Sequence, residues 1–160
     1  MADRTVRGHG ILNSFLDPIR PAARAVILRD GYVLAQLKKR DGQSAYLTLP
    51  GGKQDPGETL ETCVRRECAE EIGAQVSVGP LLYVSELYKP KACGTQHRVE
   101  FLFRCDVPPD YEPQLGPHPD PSQIETVWVR PERPPARFRP DYGTVLAAEG
   151  TSVYLGLLEE

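Results

Sequence analysis

Three glutamates stand close together in the segment best suited to chemistry. Glu67, Glu70 and Glu71 occupy positions i, i+3 and i+4, which share one face of a helix. Like charges at these spacings disfavour a helix by roughly 0.2–0.5 kcal/mol per pair. A divalent cation would reverse that penalty, because hard cations such as Mg²⁺ bind carboxylate oxygens. The spacing therefore indicates a metal site, although such glutamates also occur on ordinary solvated helix faces.

The residues before the glutamates favour the metal-site interpretation. Leu49-Pro50-Gly51-Gly52 leads from an apolar residue into a turn with two glycines. Glycine adopts backbone conformations closed to other residues and allows a ligand or metal to approach the chain closely. A glycine turn that leads into a carboxylate-bearing helix can form a cradle for a metal-bound diphosphate.

The spacing of these residues resembles the signature of the Nudix hydrolases. Five residues separate Gly52 from Glu58, and seven more separate Glu58 from the run Arg66-Glu67-x-x-Glu70-Glu71-x-Gly73. Every polar and glycine position of the family pattern is filled. The two bulky aliphatic positions hold the smaller residues Cys68 and Ala74, so the departure concerns packing. The match is much more specific than a lone glycine motif.

The resemblance implies an activity and a role for each residue. Nudix enzymes hydrolyse a diphosphate bond in a nucleoside diphosphate linked to another moiety, with Mg²⁺ or Mn²⁺ as cofactor. Such chemistry needs a metal because the leaving phosphate is negative and water is a poor nucleophile at neutral pH. The implied catalytic residues are Glu67, Glu70 and Arg66, and Arg66 orients the glutamates. The implied metal ligands are Glu67, Glu70, Glu71 and a backbone carbonyl of Gly51 or Gly52. Glu58 is implied to support the site or to contact the metal.

Many relatives also place a further acid a few positions before a late-strand tryptophan. Five residues before Trp128 this chain has Gln123, which cannot serve as an acid. The candidates to replace it are Asp120, Glu125 and Glu100, although each can also be an ordinary surface residue.

The sequence leaves the substrate open. Arg24, Lys39 and Arg40 are candidates to bind phosphate or ribose, or are solvated charges. We call the segment that carries the signature, residues 52–74, the box. A proline past the box is typical of ADP-ribose-type members and a tyrosine of dinucleoside-polyphosphate members, but Pro90 and Tyr88 are both present. Nucleoside triphosphates remain an equal alternative. We expect the choice to be made by the loops at 38–44 and 107–121, because loops on a rigid scaffold concentrate binding residues.

Two alternatives belong to other functional classes. Isopentenyl diphosphate isomerisation, on the same fold, needs a catalytic cysteine and glutamate, and Cys93 has no obvious partner in the sequence. A nucleotide-sensing module that does not catalyse is the second alternative. Such sensors usually lose box glutamates or gain a DNA-binding domain, and this chain shows neither.

The elements that must position the box are readable in outline. Leu60, Val64, Cys68 and Ile72 form an apolar stripe that predicts a helix from about Thr59 to Ile72, with Thr59 as N-cap and Gly73 as its end. Asp30-Gly31 between two apolar runs predicts a hairpin. Together with the resemblance, strands on both sides of this helix predict an α/β/α sandwich with a mixed central sheet. We expect an irregular segment at 1–20 and one Nudix domain at 21–160.

Bulk properties fit a small soluble enzyme. A length of 160 residues suits one domain, and the net charge of −3 argues against a surface for extended nucleic acid. No run of 18 apolar residues and no signal peptide are present. The four cysteines lack metal-ligand spacing. We therefore expect a cytoplasmic monomer or homodimer whose partner is a small nucleotide, with no membrane association.

Overall fold

A computed structural model describes residues 14–160 as a mixed sheet with a helix on each face. The sheet has eight strands in the order β3-β2-β1-β6-β5-β8, with β4 paired to β1 and β7 paired to β2. The predicted α/β class is confirmed. The elements are β1 (Phe15–Arg29), β2 (Tyr32–Lys38), β3 (Tyr46–Thr48), β4 (Gly51–Lys53), α1 (Leu60–Ile72), β5 (Ser77–Lys91), β6 (Gly94–Asp106), β7 (Gln123–Val129), α2 (Tyr142–Ala147) and β8 (Tyr154–Leu158).

Alternation along β1 divides the core in two. Ala23, Ala25 and Ile27 pack with the buried side of α1, whereas Val26 packs on the other face with Tyr142 of α2. Successive side chains of a strand point to opposite faces, so one strand supports both layers. The residue between Ala23 and Ala25 therefore points away from α1, which matters for the site below.

Helix α1 forms as its local sequence predicts. The hydroxyl oxygen of Thr59 accepts a hydrogen bond from the backbone N–H of Thr62 at 3.1 Å, which caps the first turn. Gly73 has a φ of 62° in the left-handed region, and its N–H closes onto the helix end. Of the apolar stripe, Val64, Cys68 and Ile72 are fully buried, and Leu60 is half-buried against them. The predicted helix and both caps are confirmed.

The predicted hairpin is confirmed. The β1–β2 hairpin turns at Asp30 and Gly31, with φ values of 53° and 80°. Gly79-Pro80 lies within β5 and does not end it, because a bulge between Val78 and Leu81 absorbs the pair. The pairing of β5 with β8 begins only at Val84, so Pro80 withdraws no hydrogen bond from that neighbour.

Two further expectations need correction or restriction. The irregular segment expected at 1–20 is wrong for its last part, because β1 begins at Phe15 and pairs with β6. The remainder, residues 1–13, lies outside the described residues. Cys63, Cys68 and Cys105 are buried thiols, but Cys93 is exposed at the β5–β6 turn. No helix within residues 14–160 is long and apolar enough to cross a membrane.

Candidate active site

Arg66 is the centre of the charged cluster on α1. Its guanidinium donates two hydrogen bonds to Glu58, at 2.7 and 3.0 Å, and one to Glu67 at 3.0 Å. A longer contact of 3.3 Å reaches Glu70, one helical turn away. The pKa of Glu58 is lowered to about 2, mainly by the hydrogen bonds from Arg66. A planar guanidinium with several donors can hold separate carboxylates at fixed positions, which a point charge cannot do.

Glu67 packs directly against the glycine turn. A Cβ atom on Gly52 would lie 2.7 Å from the Glu67 carboxylate carbon, so only a glycine leaves room for this contact. Burial, and then the charge of Glu71, raises the pKa of Glu67. The sequence therefore brings two carboxylates of α1 close enough to repel each other beside a backbone turn.

Glu71 lies on the buried side of α1 and faces the sheet. Its carboxylate accepts a hydrogen bond from Gln36 Nε2 at 2.5 Å, and Gln36 in turn accepts one from Thr48 at 3.1 Å. Gln36 is fully buried on β2. The three box glutamates therefore differ in exposure to solvent. Glu71 is buried, the Glu67 side chain is 13% exposed, and the Glu70 side chain is 39% exposed.

Gln123 occupies the place where an acid was sought. Its amide donates to the backbone carbonyl of Glu71 at 3.1 Å and to the Thr126 hydroxyl at 3.1 Å. It also lies 3.5 Å from Gln36. The amide thus ties β7 to the last turn of α1, where backbone carbonyls lack helical partners.

Arg24 and Glu100 have structural positions that differ from the sequence expectation. They form a buried ion pair at 2.7 Å, and Glu100 is also held by the Tyr142 hydroxyl at 2.8 Å. Burial alone would raise the pKa of Glu100, but Arg24, together with Tyr142 and Arg98, outweighs burial and the pKa is lowered. Glu100, a candidate for the further acid, is therefore neither an exposed surface residue nor a free carboxylate, because it is fully buried and paired with Arg24. Arg24 is buried and bonded to Glu100 and to the turn, so it is not the solvated charge that was the alternative.

The second function of Arg24 is to fix the glycine turn. Its guanidinium donates to the carbonyl oxygens of Leu49 at 3.2 Å and Gly51 at 2.9 Å. Gly51 has a φ of 140°, and a Cβ there would lie 2.1 Å from the Ala23 carbonyl oxygen. The turn needs glycine at this position because β1 and the turn approach each other so closely.

The remaining predicted residues lie away from the glutamates or are already paired. Glu125 and Lys39 are exposed on β7 and after β2. Asp120 pairs with Lys38 at 3.4 Å and accepts a hydrogen bond from Ser122 at 2.5 Å. Arg40 lies over the Tyr46 ring at 6.0 Å. None of these four contacts a box glutamate within the described part of the chain.

The proline-rich loop at 107–121 satisfies the end of α1. Tyr111 donates to the carbonyl of Ile72 at 2.6 Å, and the N–H groups of Gly116 and His118 donate to those of Glu71 and Glu70. Residues in the last turn of a helix have no helical donors for their carbonyls. The loop therefore stabilises the last turn of α1, which carries two of the box glutamates.

The donor set fits a hard divalent cation. Carboxylates of Glu67, Glu70 and Glu71 and the carbonyls of the adjoining glycine turn are oxygen ligands of the kind Mg²⁺ prefers. Over residues 14–160, no three His, Cys, Asp or Glu side chains already converge on one point. The contacts explain this, since Arg66 holds Glu67 and Glu70 while Gln36 holds Glu71.

Gln36, Thr48 and Tyr142 were not identified from the sequence. Each is an ordinary polar residue in or near an apolar run. The one available signal was a glutamine between Ala35 and Leu37 on a predicted buried strand, because a buried amide needs partners.

Comparison with known proteins gives a consistent picture. The NUDIX domain model matches residues 18–148. CTP pyrophosphohydrolase of Escherichia coli K12 is 32% identical over 109 residues, which cover 68% of this chain and 73% of that protein. A MutT NUDIX hydrolase structure from Burkholderia pseudomallei has a TM-score of 0.60 at 25% identity, covering 81% and 98% of the two chains. A NUDIX hydrolase structure from Nitrosomonas europaea has a TM-score of 0.66, covering 91% and 81%; at 21% identity this likeness shows the fold alone.

Proposed function

Because the chain belongs to the NUDIX family and is a hydrolase of diphosphate bonds, we propose that it cleaves a nucleotide with Mg²⁺ or Mn²⁺ held by α1. The observation that carries the proposal is the contact of Glu67 with Gly52, beside Glu71. It brings carboxylate and backbone oxygens together where the family signature expects the metal. The proposed ligands are Glu67, Glu70, Glu71 and the carbonyl of Gly51 or Gly52.

A bound divalent cation would supply charge neutralisation of phosphoryl oxygens and a lower pKa for an attacking water. The protein's own residues prepare that chemistry. Arg66 holds Glu67 and Glu70 in place, and Glu58 fixes Arg66 from the opposite side. Gln36 orients the Glu71 carboxylate, and Arg24 fixes the carbonyl groups of the turn. Fixed ligands lose less freedom when the reacting groups assemble.

The proton of the attacking water needs an acceptor that solvent can reach. Glu70 is the most exposed of the three box glutamates, with 39% of its side chain accessible. We therefore assign proton acceptance to a Glu70 carboxylate oxygen, with Glu67 as the other candidate. The products of a nucleoside triphosphate would be a nucleoside monophosphate and pyrophosphate, with one water consumed.

Nucleoside triphosphates are the first substrates to test. The Escherichia coli relative is named for its action on CTP, and the sequence alone left ADP-ribose and dinucleoside polyphosphates as equal choices. A screen of these three classes with Mg²⁺ and with Mn²⁺ would test the proposal. Metal-dependent release of a nucleoside monophosphate supports it. Binding of nucleotides without turnover of any nucleotide that contains a diphosphate bond would contradict it.

A further inference from the structure

A cavity of about 40 Å³ lies on the face of β1 that points away from α1. Six cationic and three carboxylate side chains line it, so the lining carries an excess of three positive charges. Three ion pairs account for half of the cations: Arg24–Glu100 at 2.7 Å, Lys38–Asp120 at 3.4 Å and Lys89–Glu160 at 3.9 Å. The last of these is at the limit of an ion pair.

The other three cations have no carboxylate partner within residues 14–160. Arg40 and Arg139 lie over the ring of Tyr46, at 6.0 and 5.2 Å. Arg98 is only 6% exposed, and its Nε is buried without a hydrogen-bond partner. The Nε of Arg139 is in the same condition. Although the charges of Glu100 and Glu160 act on Arg98, buried charged groups whose donors lack partners are destabilising, and native proteins keep few of them.

Burial in the cavity and repulsion between neighbouring cations disfavour the charged forms of the lysine and arginine side chains that line it. Burial, and then the charge of Arg98, lowers the pKa of Lys89 to about 8. Burial, and then the charge of Arg24, lowers the pKa of both Lys38 and Arg98. An anion placed among these side chains would reverse the mutual repulsion.

Glu160 shows the kind of group that the cavity accepts. Its carboxylate reaches the lining near Lys89, but its Oε2 is buried without a hydrogen-bond partner. The cavity has room for a few water-sized groups. The three outer oxygens of a phosphoryl group are comparable in number, and arginine recognises such groups through paired N–H donors.

Arg24 joins the cavity to the glycine turn, since it contacts both Glu100 and the Gly51 carbonyl. We propose that the cavity binds a phosphoryl group that the substrate carries beyond the diphosphate bond that is cleaved, with Arg98 and Arg139 as the principal donors. The position within a substrate rests on the proposed hydrolysis, whereas the binding of phosphate does not. The preferred substrates are then nucleotides with a phosphoryl group separate from their diphosphate.

Phosphate binding can be measured without any metal. In EDTA the box glutamates repel anions, so a calorimetric titration with inorganic phosphate reports on the cavity. We expect Arg98→Gln and Arg139→Gln each to weaken binding about tenfold or more, because each removes charged hydrogen bonds. Glu160→Gln should strengthen binding, since it removes a competing carboxylate. The charge-matched control Arg133→Gln, at an exposed residue outside the cavity, should bind as the wild type does.

The outcomes separate the cavity from the hydrolysis. Arg139 is half-buried, so its variant decides the question if Arg98→Gln fails to fold. Absence of phosphate binding, or binding unchanged in both arginine variants, would overturn the site.

For the substrate, kcat/KM is compared within the pairs NADP⁺ and NAD⁺, and coenzyme A and its 3′-dephospho form. A preference of tenfold or more for the phosphorylated member, lost in the arginine variants, is expected; equal kcat/KM in both pairs would overturn the substrate assignment. Phosphate binding without any hydrolysis would refute the proposed function and leave the site standing.

Discussion

Arg66 and Glu58 form a two-point ion pair, in which Nε donates to one carboxylate oxygen at 3.0 Å and Nη2 to the other at 2.7 Å. Through Nη1 the same guanidinium donates to Glu67 at 3.0 Å. Glu58 therefore orients the Arg66 guanidinium, which in turn orients the Glu67 carboxylate. Parallel bonds of this kind set orientation as well as distance.

We expect Arg66→Lys to lower kcat by roughly tenfold or more, about the value of one charged hydrogen bond. A lysine ammonium cannot bridge Glu58 and Glu67 in fixed directions, although it retains the charge. The measurement is steady-state hydrolysis beside a thermal unfolding scan. Arg65→Lys is the matched control, because Arg65 is exposed on the same helix and is not part of the cluster. Equal kcat for the two variants would show that the fork of Arg66 does not matter.

The two glycines of the turn should respond differently to alanine. In Gly52→Ala the new Cβ meets the end of a flexible side chain, the Glu67 carboxylate, at 2.7 Å. The carboxylate can move, so we expect a stable protein with weaker Mn²⁺ binding and lower kcat. In Gly51→Ala the Cβ meets the Ala23 backbone at 2.1 Å with a φ of 140°, so we expect a marked loss of thermal stability. Calorimetric Mn²⁺ titration and unfolding scans measure both, and unaltered Mn²⁺ affinity in Gly52→Ala would argue against the turn as part of the metal site.

Local features of this chain could be predicted and long-range contacts could not. Helix α1, its Thr59 cap and its Gly73 end depend on residues within a few positions, so the sequence contains the whole pattern. The Gln36–Glu71 contact joins residues 35 apart, and Arg24–Glu100 joins residues 76 apart. Such contacts depend on which strand packs against which helix. The pattern of residues along the sequence does not specify that packing. For the same reason the sequence left Arg24 open between binding phosphate or ribose and a solvated charge, and did not indicate its contacts with Glu100 and the turn.

The role of Gln123 can be tested by adding the acid that the sequence lacks. In Gln123→Glu a carboxylate would replace the amide that donates to the Glu71 carbonyl at 3.1 Å. An ionised carboxylate has no donor, so the Glu71 carbonyl loses one of its two donors, keeps only the Gly116 N–H, and faces a new buried charge. We expect the free energy of unfolding to fall by about 1–3 kcal/mol at pH 7, with no gain in kcat. Urea unfolding and steady-state kinetics provide the readouts. A higher kcat at unchanged stability would mean that the position accepts a catalytic acid.

Lys89 predicts a specific pH dependence of stability. Its pKa is lowered to about 8 by burial and then by Arg98, with further contributions from Arg24 and Lys91, while Glu160 acts in the opposite direction. Between pH 8 and the ordinary lysine value of 10.5, the unfolded chain binds more protons at this residue. The contribution of Lys89 to the free energy of unfolding therefore rises with pH in that window and is least favourable below it.

Comparison with Lys89→Met isolates this contribution from other groups that titrate in the same range. We expect the variant to be more stable than the wild type at pH 7.5, because it lacks a buried charge. The difference should shrink as the pH approaches 10, by at most about 1.4 kcal/mol per pH unit. Urea unfolding of both proteins at several pH values measures it. A difference that stays constant from pH 7.5 to 10 would show that Lys89 is not perturbed.

Metal-dependent hydrolysis through the box glutamates can be followed directly by ³¹P NMR. Wild-type protein and the Glu67→Gln variant are incubated with a nucleoside triphosphate, first in EDTA and then with excess Mg²⁺. We expect no products in EDTA and, for the wild type, nucleoside monophosphate and pyrophosphate once Mg²⁺ is added. We expect a rate lower by about a hundredfold or more for a folded Glu67→Gln, since an aligned charged group at a reacting centre contributes on that scale. Equal rates for the two proteins, or the same products in EDTA, would contradict metal-dependent hydrolysis through these glutamates.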